Sequence, residues 1–301
     1  IKNYRFSVSW CRLMPEGEGE INPEGARFYT DLVDELLRYG ITPWVTIYHW
    51  DLPRPLFEKG GFLNPGISDV FAAYAKAVVR LFGEKVSHYI IFNEPQVVVE
   101  DGHFTGAHAP FLRLSRADVF RVAHNVLLCI GKAEKVMRKA ARHRLHLGIT
   151  PCFTPVIPKG DCDPQVAETY QFTPNGEFYD GCFFTDPLIL GRFPDTYRRW
   201  FAEYGYDPSP EDMAVIKSRF DFFGVNYYEG IYVENTPEGV KKLPLTPEDR
   251  VTAMGWKVTP EGMEYLIRYY YDRYGLPILF GENGVALAEW KTLDGNVPDD
   301  M

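Results

Sequence analysis

Short, nearly continuous apolar runs alternate over most of this chain with longer segments whose apolar residues recur at helical spacing. No other feature restricts the fold as much. A strand that is apolar on both faces must be covered on both, which is the habit of parallel sheets flanked by helices. Six β–α pairs can be read in order. Residues 4–10 read as a strand, and 23–39 as an amphipathic helix with Asn22 as its cap and Pro23 in its first turn. The pairs continue as strand 41–49 with a helix near 67–82, strand 87–93 with a long helix over 115–144, and strand 146–153. An irregular stretch follows, with short helices near 195–204 and 210–218. Then come strand 222–228, a hairpin over 232–240, helix 260–274 and a last strand, 278–282. No linker, low-complexity tract or short repeat divides residues 1–301, so one domain is expected.

A doubly wound sheet and a closed barrel both satisfy this order, and the polar residues discriminate. His49 with Trp50, Asn93 with Glu94, Asn226 with Tyr228, and Glu282 with Asn283 all fall at C-terminal strand ends. In a barrel those ends converge on one mouth. No Gly-rich phosphate loop follows any strand, which argues against the dinucleotide-binding arrangement. The expected fold class is therefore α/β, a (β/α)8 TIM-type barrel with about six of its eight units visible.

The net charge of −9 gives no electrostatic support to nucleic-acid binding. Five cysteines form no CxxC pair, and the histidines show no metal-ligand spacing. Neither a metal nor an organic cofactor is expected. No apolar run is long enough to span a membrane and none reads as a leader, so the expected location is cytoplasmic.

Two acids stand out. Glu94 follows the apolar run 89–92 and Asn93, and precedes Pro95; Glu282 follows the run 276–280 and sits in Gly281-Glu282-Asn283-Gly284. An ionised carboxylate at the end of an apolar strand is costly unless paired or functional. A single such acid is as readily explained by bonds to loop amides. Two on separate strands, each beside an Asn, suit glycosidic hydrolysis, which needs one protonated carboxyl and one carboxylate.

Residues 91–95, ending Asn93-Glu94-Pro95, resemble the acid/base motif of family 1 glycoside hydrolases, the β-glucosidase family, and 277–284 resemble its nucleophile motif. Residues 4–10, 48–53, 224–228 and 254–256 match further signatures of that family in the right order. The resemblance implies a retaining β-glycosidase acting on β-glucosides or short β-linked oligosaccharides. Glu94 would be acid/base and Glu282 nucleophile, with the carboxyls about 5–5.5 Å apart. It further implies that Asn93, His49 and Trp50 bind the glycone, that Tyr228 holds Glu282 while Arg5 keeps it ionised, that Asn226 belongs to the same substrate-binding cluster, and that Trp256 lines the aglycone side. Asp51 is expected to bond loop backbone, and Glu16, Glu18 and Glu20 to form a solvated loop. The chain departs from the family at Gly281, usually Thr, and at Cys182-Phe183-Phe184, where a Trp is usual. The family's first strand, with its substrate-binding Gln, has no counterpart before Ile1. Its eighth strand and glycone-binding loop have none before Met301. Two open barrel edges, and self-association through them, are the expected consequence. Alternatives are a catalytically impaired sugar-binding or partner-dependent fragment and a 6-phospho-β-glucosidase. A thioglucosidase lacking the acid/base is disfavoured by Glu94.

Overall fold

The computed structural model describes residues 1–297 apart from Asp180 and Glu238. Six parallel strands form its frame: β1 (Asn3–Ser7), β2 (Thr42–Tyr48), β3 (His88–Asn93), β4 (His146–Thr150), β6 (Phe223–Tyr227) and β9 (Ile278–Asn283). The first four pair in chain order, and β6 pairs with β9. A parallel bridge between Cys152 and Asn226 joins β4 to β6, where Asn226 donates its amide to the Pro151 carbonyl at 2.9 Å. Helices connect successive strands, and Ile67–Phe82 and the long helix Arg116–Ala140 pack on each other. The core lies between these helices and the sheet. Val45, Ile47, Ile91, Leu147, Ile149 and Val225 are all fully buried. A three-stranded satellite sheet, β5 (Val156–Pro158), β7 (Ile231–Thr236) and β8 (Gly239–Lys242), has its own small cluster around Val156, Ala167 and Val233.

Several element boundaries differ from the sequence reading. The first strand stops at Ser7, because Ser9 caps the short helix Trp10–Leu13 and turns Trp10 into the core, stacked on Tyr74 at 4.6 Å. The fourth strand stops at Thr150, before Pro151, which has no N–H for the ladder. The helix expected to reach residue 144 ends at Ala140. The irregular stretch contains the helix Pro164–Gln171, capped by Asp163. Residues Val97–Thr105 form a π-helix, whose wider turn carries no 3.6-residue signal. The turn of the 232–240 hairpin includes Glu238, outside the described residues.

Register shifts occur between Ile90 and Asn93 in the β3–β4 pairing and between Val225 and Asn226 in the β6–β9 pairing. Irregular pairing of this kind re-aims side chains at the ends of strands. Here it does so at Asn93 and Asn226.

Candidate active site

The backbone at the C-terminal mouth is strained in two places. Glu94 has φ of 43° and Trp50 φ of 79°, both in the left-handed region. Such residues cost about 1–3 kcal/mol each and persist only where their surroundings over-determine them. The surroundings do so here. The Glu94 amide donates to the Thr150 carbonyl at 2.9 Å, and Trp50 Nε1 donates to the Asn93 carbonyl at 3.2 Å.

Asn93 is the hub. Its Oδ1 accepts from Arg5 Nη2 at 2.5 Å, Thr150 Oγ1 at 2.9 Å and Asn226 Nδ2 at 3.1 Å. The Asn226 amide also donates to Glu94 Oε1 at 2.6 Å. On the other side, Arg5 Nη1 donates to Glu282 Oε1 at 2.8 Å and to the Gly281 carbonyl at 3.0 Å, while Tyr228 OH donates to Glu282 Oε2 at 2.5 Å. One hydrogen-bonded network, largely shielded from water, therefore spans both acids. At Gly281 a Cβ would lie 2.8 Å from both Asn226 Oδ1 and Thr150 Cγ2, so the bare backbone lets Arg5 and Asn226 close around it.

The two carboxyls have opposite environments. Glu94 is buried, and burial pushes its carboxyl up to about 7; the Asn226 hydrogen bond opposes this and the charges of Glu282 and Asp101 add to it. Glu282 instead accepts from a guanidinium, Arg5 Nη1 at 2.8 Å, and from the phenolic hydroxyl of Tyr228 at 2.5 Å, both charge-assisted contacts of a kind that fixes a carboxylate in place. Burial holds His49 below its ordinary value, so its neutral Nε2 can accept from Asn93 Nδ2, 3.2 Å away.

A cavity of about 400 Å³ opens at Glu94. Trp50, Tyr228 and Trp256 line it, with Tyr228 and Trp256 in ring contact at 5.3 Å. Asn226 reaches its edge but is 1% exposed, with its amide turned to Glu94 and Asn93. Its side chain therefore meets Glu94 and Asn93 directly, at the rim of the cavity where the sequence reading grouped it with the substrate-binding residues. His49 and Asn93 lie beside the cavity and meet each other. The sequence reading missed Thr46 and Thr150, which hold Arg5 and Asn93, and the cavity residues Asp101, Tyr179, His108 and Glu229. An acid in the segment after Val97–Val99 was a legible signal for Asp101. For Tyr179, whose hydroxyl meets Asp101 across 78 residues of sequence, there was none. Cys182, Phe183 and Phe184 belong to the aromatic core, and Glu18 pairs with Lys59 at the surface. All five cysteines are free, and among the described residues no group of His, Cys, Asp and Glu could hold a metal. No helix among them is long and apolar enough to cross a membrane.

The model of the family described as glycosyl hydrolase family 1 matches residues 1–301. The chain belongs to that family. It is similar to beta-glucosidase A of Thermotoga maritima, 37% identical over 99% of this chain and 66% of that protein. Beta-glucosidase A of Acetivibrio thermocellus is 35% identical over 99% of this chain and 67% of its own length. The solved structure of the Thermotoga maritima beta-glucosidase in complex with methyl acetic acid-substituted glucoimidazole superposes with a TM-score of 0.87 at 37% identity, over 99% of this chain and 66% of that one. The fold is accordingly the (β/α)8 barrel of this family, of which six strands are seen among the described residues. The chain spans about two thirds of the length of the relatives it matches.

Proposed function

We propose that this chain hydrolyses β-D-glucosides with retention of configuration, Glu282 acting as nucleophile and Glu94 as acid/base. The observation that carries the reading is the contrast between the two carboxyls. Burial keeps Glu94 protonated up to about pH 7, while Arg5 and Tyr228 hold Glu282 ready to attack. Glu282 would attack the anomeric carbon as Glu94 gives its proton to the departing oxygen. The resulting carboxylate of Glu94 would then take a proton from water, which releases the sugar from Glu282. Asn93 has three donors on its Oδ1, which leaves Nδ2 to reach a sugar hydroxyl beside His49. Trp50 would face the sugar ring. The beta-glucosidase relatives support glucosides over 6-phosphoglucosides, and the presence of both acids supports catalysis over sugar binding alone. The Glu282→Ala variant should be inactive on 4-nitrophenyl β-D-glucoside and should form the α-glucosyl azide when azide is added. Formation of the β-azide in that variant would mean that the two acids are exchanged.

A further inference from the structure

The cavity is walled by Glu94 and not by Glu282, so it lies on the acid/base side, where the leaving group departs. Two more carboxylates open onto it, Asp101 and Glu229. Asp101 accepts from the Tyr179 hydroxyl at 2.5 Å, and Glu229 from the Lys257 amide at 3.1 Å. Both bonds are to neutral donors. Among the described residues neither acid has an ion-pair partner, because the nearby Lys257 ammonium is bound to Asp249 at 2.6 Å. No Lys or Arg lines the cavity; the basic side chain that does is His108, against Trp50, and Trp50, Tyr179, Tyr228 and Trp256 present rings to it. Uncompensated carboxylates among aromatic faces attract a cation and repel an anion.

Resting on the glucosidase reading, we propose that Asp101, seconded by Glu229, selects β-glucosides whose aglycone carries an ammonium group, seated against the aromatic wall. Asp101 is the stronger selector because the Tyr179 hydroxyl fixes its carboxylate in place in the cavity wall at 2.5 Å, whereas Glu229 is held by a longer bond from a backbone amide.

The test uses three hydrolysis-resistant thioglucosides that differ only at the para position of the aryl group: aminomethyl, methyl and carboxyl. Calorimetry on the full chain at pH 6 should rank the ammonium compound tightest, about tenfold or more above the carboxylate. The ratio should shrink with added salt. Asp101→Asn should reduce it several-fold, and Asp101→Asn with Glu229→Gln should bring it near unity. Equal binding of the three probes, failure of all three to bind, or a ratio untouched in the double variant would each overturn the proposal. Hydrolysis of neutral 4-nitrophenyl β-D-glucoside is scored separately. Turnover without charge discrimination sinks this inference alone, and discrimination without turnover sinks the glucosidase reading.

Discussion

Glu94 combines a buried carboxyl, a left-handed backbone and a single strong donor in Asn226, and each has a measurable consequence. Its proton is held up to about pH 7 in the folded chain, against an ordinary value near 4.5. The folded state therefore binds this proton more tightly, and stability falls as pH rises between those values, by up to about 3 kcal/mol. Glu94→Gln keeps the acceptor for Asn226 and removes the charge. It should match the wild type in thermal midpoint at pH 4 and exceed it at pH 8; equal midpoints at both would show that burial does not raise this acid. In activity, kcat/KM should decline above about pH 7 as Glu94 loses its proton. Asp101→Asn removes a like charge from its surroundings and should move that decline to lower pH. Glu94→Ala should slow glucosides with poor leaving groups by about 10²–10⁴ and activated aryl glucosides far less.

At the scale of elements, the site depends on how closely β6 approaches β4. Gly224 makes that approach: a Cβ there would lie 2.5 Å from the Ile149 carbonyl and 2.4 Å from Thr150 Cγ2. The carbonyl is backbone within the neighbouring strand and cannot rotate aside. Gly224→Ala must push β6 outward, carrying Asn226 away from Glu94 and Asn93. Overpacking of this kind costs about 1–3 kcal/mol, to be read from the urea midpoint. It should also lower kcat, which distinguishes a displaced strand from a merely softened core. An unchanged midpoint would mean that the two strands separate freely.

Across the whole molecule the strands are unequally covered. The residues of β2, β3, β4 and β6 are mostly buried, whereas β1 and β9 are half-exposed along their lengths, each paired with a single neighbour. What links these two strands directly is Arg5, reaching the Gly281 carbonyl and the Glu282 carboxylate. Half-paired strands present unpaired backbone groups that are templates for further pairing. The 301-residue polypeptide should therefore self-associate at micromolar concentration, and lysine at Leu279 should suppress this. Light scattering that finds a monodisperse monomer would show that these edges are protected.

The barrel class, the order of its six strands and the two acids were legible in the sequence, because each depends on local pattern. Apolar runs must be strands covered on both faces, and a Glu at the end of such a run conflicts with burial in a way that needs a reason. Arg5 and Tyr228 were legible only through motifs, since nothing local says which carboxylate a guanidinium or a phenol will meet. Tertiary structure decided the rest. The register shifts at Asn93 and Asn226 arise from pairing between strands, and the π-helix after Glu94 has no periodic signature. Asn226 became a partner of Glu94 because β6 lies against β4. Asp101 acquired Tyr179, and with it a fixed place in the cavity wall, through a contact between segments far apart in the chain. Hydrophobic pattern acts over a few residues and selects the frame; hydrogen bonds and burial act across space, and they assign each polar group its role.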